Sequence, residues 1–216
     1  LKNGLSVTLI EKDDDSLKHT KETIDHLIQK YPPFKVPKVV LSTSFSKLKT
    51  CGLIIEAVYE DFALKQSIFS QLSQYVDEST IVASNTSSIP ISSLASHLPY
   101  PKQFVGIHFF SPVAKMELIE IIKGSKTSNT TCNKAKAFAS LLGKTPILVK
   151  DTRGFYTSQI VMGYIYEAMK MVTEGISPIE IENAARQIGM PTAPLALADE
   201  IGIDVAWHIL NENKQD

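Results

Sequence analysis

Three groups of residues in this sequence carry the types and spacing for proton chemistry. The first is Ser84-Asn85-Thr86-Ser87-Ser88, a polar cluster directly after an apolar segment. The second is His108, inside Gly106-Ile107-His108-Phe109-Phe110-Ser111-Pro112. The third is a pair of acids in Glu117-Leu118-Ile119-Glu120. A hydroxyl cluster, an imidazole and a carboxylate are the minimal set for taking a proton from an alcohol. On a strand His108 points away from Ile107 and Phe109, and Glu120 shares a face with Leu118 and Ile122. A carboxylate among apolar side chains needs a partner, and an imidazole is the nearest one available. A carboxylate beside the ring favours its protonated form, which is what a general base requires. Spacing alone leaves Glu117 as a competing partner. Ser87 and Asn85 are free to donate to a ligand, whereas Ser88 has the alternative of capping a helix over residues 89–96.

These groups must be held by elements that the sequence also signals. Ser6-Val7-Thr8-Leu9-Ile10-Glu11 is a strand ending in an acid. Asp13-Asp14-Asp15-Ser16 supplies helix N-terminal chemistry, and the helix runs over residues 17–31 to the stop at Pro32-Pro33. Further strands are expected at residues 39–42, 53–58 and 80–84, with a helix over 62–75 between the last two. Residues 105–110 and 116–122 are two more strands, joined too tightly for a crossover helix and therefore antiparallel. A helix over 130–142, ended by Gly143, and a strand at 146–149 complete a first domain, residues 1–150. From residue 151 only helical patterns follow, with Ile160, Tyr164, Ala168 and Met171 at helical spacing and Pro178 opening the next helix after Ser177. The alternation predicts an α/β Rossmann-like, doubly wound domain followed by an all-α domain, residues 151–216. In such a sheet ligands bind beyond the carboxyl ends of the strands, where Ser84–Ser88 falls. An acid ending the second strand, as Glu11 does, accepts from a ribose hydroxyl and favours NAD over its 2′-phosphorylated form.

Composition narrows the classes. The 216 residues carry a net charge of −1, and the lysine runs are short, so neither nucleic acid nor an anionic membrane is expected as a partner. No apolar run approaches the roughly 20 residues of a membrane span. Cys51 and Cys132 fall in no CxxC pattern and are expected as buried thiols, in keeping with an intracellular setting, mitochondrial, peroxisomal or bacterial. His19 and His26 lack further ligands, so no metal site is expected.

The motifs together resemble the L-3-hydroxyacyl-CoA dehydrogenase family. The likeness runs from Ile54-Ile55-Glu56-Ala57-Val58-Tyr59-Glu60 through the serine cluster, the histidine segment and Leu118-Ile119-Glu120. It continues in Asp151-Thr152-Arg153-Gly154-Phe155-Tyr156 and from Pro194 to Ala206. The later wording is more similar to the multifunctional β-oxidation α-subunits than to the short monofunctional enzymes. The resemblance implies NAD as cofactor, acyl-CoA as substrate and a 3-ketoacyl-CoA as product of fatty-acid β-oxidation. It gives His108 the role of base, Glu120 that of orienting the imidazole, and Ser87 a hydrogen bond to the reacting oxygen. Glu60 and Lys65 match positions lining the cofactor and CoA cleft, and Glu11 matches the ribose acid. Asn85 and Ser111 join them as cofactor-side residues, Ser111 standing where many members have Asn. Ser158 stands where the family often has an assisting Asn and is expected to replace it in part. The family's first strand and Gly-x-Gly-x-x-Gly turn are expected before Leu1, and its helical domain to continue past Asp216. That strand is central in the sheet, so unpaired edges are expected without it. The helical domain implies a dimer or packing within a longer chain. The alternative reading is a non-catalytic acyl-CoA-binding or structural member of the same fold.

Overall fold

The computed structural model describes residues 3–30 and 38–202. The expected helix end at Tyr31 with Pro32-Pro33, and the stretch after Gly202, lie outside these. The chain divides into two compact units, Leu1–Arg153 and Gly154–Asp216.

The first unit contains seven strands among the described residues. They are β1 (Val7–Ile10), β2 (Val39–Ser42), β3 (Leu53–Glu56), β4 (Ile81–Ser84), β5 (Phe104–Phe109), β6 (Leu118–Lys123) and β7 (Thr145–Lys150). Its helices are α1 (Asp14–Lys30), α2 (Phe62–Leu72), the single turn α3 (Ile91–Leu94) and α4 (Asn129–Leu141). Short polar side chains start the helices. Asp13 accepts from the Ser16 amide at 2.8 Å, Asp61 from Leu64 at 2.7 Å and Ser128 from Thr131 at 3.1 Å. Gly143, at φ +74, follows α4 in the left-handed region that a side chain resists.

The strands form two sheets. β1 and β2 pair in parallel, and β3-β4-β5-β6-β7 form the second sheet. β3, β4 and β5 run parallel, β6 antiparallel to β5, and β7 parallel to β6. β1 and β3 each keep one edge with no strand partner among the described residues.

Strand parity separates the two faces of the larger sheet. One face packs Ile81, Ala83, Val105, Ile107, Ile119 and Ile121 against Ala135 and Ala139 of α4. The other turns Phe104 onto Phe69 of α2, ring centroids 5.1 Å apart, with Leu72, Ile91 and Leu94 buried nearby. Each such side chain contributes about 1.5–3 kcal/mol by leaving water. Gly106 lies on this second face opposite Ile122, where an added Cβ would sit 2.8 Å from the Ile122 side chain and 2.9 Å from Ile91.

Four details differ from expectation. α2 gives way at Leu72 to a tighter turn over Ser73–Tyr75, and a second such turn, Phe45–Thr50, leads into β3. The helix expected over residues 89–96 is reduced to α3 and a turn, and Ser88 does not cap it. Asp151 does, accepting from the Ile91 and Ser92 amides at 2.7 Å each. Cys132 is buried but Cys51 is only partly so.

The second unit holds α5 (Thr157–Thr173), α6 (Pro178–Gln187) and α7 (Pro194–Ile201). α5 buries Met162, Ile165 and Ala168, whereas Ile160 and Met171 are exposed, so the buried stripe follows the three-residue ridge rather than the i, i+4 row. Pro178 opens α6 as expected, although the Ser177 side chain makes no capping bond. Glu182 of α6 accepts from the Leu195 and Ala196 amides and so caps α7. No helix among the described residues is long and apolar enough to cross a membrane.

Candidate active site

The antiparallel register sets His108 of β5 directly opposite Glu120 of β6. Their side chains meet on the Gly106 face, with His108 Nδ1 2.8 Å from Glu120 Oε2. Glu120 has no exposed side-chain surface and His108 has 8%. Glu117, the competing acid, is exposed and precedes β6. A carboxylate so deep is tolerable only when hydrogen-bonded, so Nδ1–H donates to Glu120; in the neutral ring this leaves Nε2 as an acceptor. Ser87 Oγ lies 3.1 Å from Nε2, at hydrogen-bonding distance, and donates to it in the neutral ring. Phe110 packs its ring on the imidazole, centroids 4.6 Å apart.

Ser87 is placed by a loop pinned at both ends. Asn85 Oδ1 accepts from the Phe109 amide at 3.0 Å, tying the end of β4 to the end of β5. From the other side Glu60 Oε1 accepts from Thr86 Oγ1 at 2.5 Å, the Ser87 amide at 2.9 Å, and Ser88 through its amide and hydroxyl at 3.1 and 3.2 Å. Burial raises the Glu60 carboxyl, but the Thr86 hydroxyl, the Lys65 ammonium and the two amides outweigh it and hold the group below its ordinary value.

Lys65 itself is wholly buried. Its Nζ lies 2.7 Å from Glu56 Oε1 and 3.3 Å from Glu60 Oε2, with the Val58 carbonyl at 3.5 Å. Glu56 also accepts from Ser84 Oγ at 2.6 Å and the Val58 amide at 2.7 Å. Sequence reasoning passed over Glu56 and Thr86. The signal for Glu56 was present: a lone acid in a strand covered on both faces needs a buried cation.

Among the residues expected on the cofactor side, Glu11 follows β1 directly, partly buried, and accepts from Thr20 Oγ1 at 2.8 Å. A carboxylate at this strand end fits the ribose of a dinucleotide. Ser111 is exposed just beyond β5. Ser158 lies in the first turn of α5, in the helical unit. No cluster of three metal-ligating side chains occurs among the described residues.

Residues 1–152 match the family described as 3-hydroxyacyl-CoA dehydrogenase, NAD binding domain, and residues 154–216 match its C-terminal domain. The fatty acid oxidation complex subunit alpha of Shewanella sp. (strain W3-18-1) is 43% identical over 168 residues, 78% of this chain and 24% of that protein. The chain thus spans about a quarter of the length of the curated relatives it matches. The (S)-3-hydroxybutyryl-CoA dehydrogenase of Ralstonia eutropha superposes with a TM-score of 0.87 at 36% identity, covering 97% of this chain and 78% of that one. The dehydrogenase part of multifunctional enzyme 1 from C. elegans does so with a TM-score of 0.65 at 27% identity, covering 98% and 51%. The chain belongs to the 3-hydroxyacyl-CoA dehydrogenase family, an oxidoreductase family with NAD as cofactor.

Proposed function

We propose that this chain carries the oxidation of L-3-hydroxyacyl-CoA to 3-ketoacyl-CoA in fatty-acid β-oxidation. The observation that supports it most is the line Glu120–His108–Ser87, with imidazole Nε2 at hydrogen-bonding distance from a hydroxyl. His108 Nε2 accepts the proton of the substrate's 3-hydroxyl as the O–H bond breaks and the carbonyl forms. Glu120 holds the ring through Nδ1 and stabilises the positive charge that develops on it. Ser87 turns its hydroxyl from Nε2 to the reacting oxygen. NAD, when bound, would supply the acceptor for the C3 hydrogen and its two electrons. Glu11 would hold the adenosine ribose of that cofactor, and Asn85 and Ser111 would join it as cofactor-side residues. Ser158 assists on the strength of the family resemblance, and Ser158→Ala tests it. His108 returns the proton to solvent afterwards.

The test uses the full-length protein carrying this chain, assayed with acetoacetyl-CoA and NADH beside His108→Gln. Removing a general base costs about 10²–10⁴ in rate. A variant within a few-fold of its parent would end this reading.

A further inference from the structure

Two threonines of α1 use their hydroxyls differently. Thr23 Oγ1 donates to the His19 carbonyl one turn back, at 3.0 Å, a bond open to any threonine inside a helix. Thr20 Oγ1 donates out of the helix instead, to Glu11 Oε1 at 2.8 Å. The Glu11 main chain is fixed as well, its amide donating to the Ser42 carbonyl at the end of β2 at 3.0 Å. Glu11 makes no other side-chain hydrogen bond or ion pair among the described residues, so Oε2 stays available. Lys12, next in the chain, pairs with Asp13 at 3.8 Å rather than with Glu11. The acid is therefore held by one hydroxyl and keeps its charge without a cation beside it among the described residues.

From this geometry, and resting on the ribose role proposed above for Glu11, we infer that Thr20 is a positioning residue that sets the preference between NAD and its 2′-phosphorylated form. A free glutamate side chain samples several rotamers, and a ligand that needs one of them must order it. By holding Oε1 the Thr20 hydroxyl does that ordering in advance. Oε2 is then the oxygen left to accept from a ribose hydroxyl. The same restraint keeps a negative charge beside that ribose, where it repels a 2′-phosphate. Without Thr20 the acid is free to turn toward water. NAD then loses a pre-set acceptor, and the 2′-phosphorylated cofactor loses an obstacle.

The experiment measures the Kd of NADH and of NADPH by fluorescence titration of the full-length protein, so it does not depend on turnover. Thr20→Val keeps the shape of the side chain and removes the hydroxyl. It should raise the Kd for NADH about threefold to tenfold and leave that for NADPH unchanged or lower. Thr20→Ala, a better helix former, should give the same pattern and guards against a loss of folding. Thr20→Ser keeps the hydroxyl and should stay within about twofold of the parent for both cofactors. Glu11→Ala should weaken NADH by itself, and adding Thr20→Val to it should change the Kd by less than about twofold, because Thr20 acts through Glu11. General loosening of α1 would weaken both cofactors together, so equal losses for NADH and NADPH would overturn the inference. Additive effects in the double variant would overturn it too. A weakened Glu11→Ala beside an unaffected Thr20→Val would sink the role of Thr20 alone. An unaffected Glu11→Ala would sink the ribose role of the acid, and the inference with it.

Discussion

Replacing Glu120 by glutamine removes a charge while keeping the shape of the side chain and an oxygen that accepts from His108 Nδ1–H. The hydrogen bond is 2.8 Å and the acid has no exposed surface. The centres of the two charged groups are about 4 Å apart, where unit charges interact by about 4 kcal/mol at an effective dielectric constant near 20. In the proposed reaction the imidazole takes up the alcohol's proton, so half of that interaction at half transfer, about 2 kcal/mol, is lost from the barrier step. That corresponds to about a 30-fold fall in kcat. An interaction made only in the transition state lowers kcat and leaves KM in place. The assay is steady-state oxidation of L-3-hydroxybutyryl-CoA by NAD in the full-length protein, with thermal unfolding of both proteins alongside. Swapping a charged acceptor for a neutral one of equal size weakens the hydrogen bond and should cost about 1–2 kcal/mol of stability. A fall in kcat below threefold, or a loss that appears in KM alone, would refute the charge-stabilising role.

If Ser87 bonds the reacting oxygen as proposed, Ser87→Ala should lower kcat about tenfold to a hundredfold in the same assay with KM little changed. Gly106→Ala pushes a methyl group into Ile122 and Ile91, and urea unfolding should show a loss of about 1–3 kcal/mol. Asp151→Ala strips two partly buried amides at the start of α3 of their acceptor and should cost a similar amount, read the same way. Glu60 is held below its ordinary value of 4.5, so the stability it contributes is present above that pH and is lost as pH falls from 4.5 through its lower folded value. Glu60→Gln should therefore flatten that part of the acid unfolding profile, and an unchanged profile would contradict the assignment.

The sequence made the His108–Glu120 pairing legible because strand parity and a short antiparallel connection leave few ways to satisfy an acid set among Leu118 and Ile122. It could not choose between Glu117 and Glu120, since that choice depends on register, and register is set by the packing of Gly106 against Ile122. Most strands and long helices were legible from apolar runs and caps. α3 was not, because its cap arrives from Asp151, a residue 60 positions away. The buried face of α5 was displaced for a related reason: its i, i+4 row was read without knowing where α7 would lie. Lys65 shows the same limit at the site. Its alignment with a cleft position says where the backbone runs, but only coordinates reveal that the ammonium turns inward to Glu56.

The most direct measurement is the nitrogen NMR spectrum of the imidazole rings in the full-length protein, with His108 assigned through His108→Gln. In the neutral ring Nδ1 should carry the proton, hydrogen-bonded to Glu120, and Nε2 should be bare. A spectrum with the proton on Nε2 would mean that the nitrogen facing Ser87 cannot accept from an alcohol, and the account would fail at its centre.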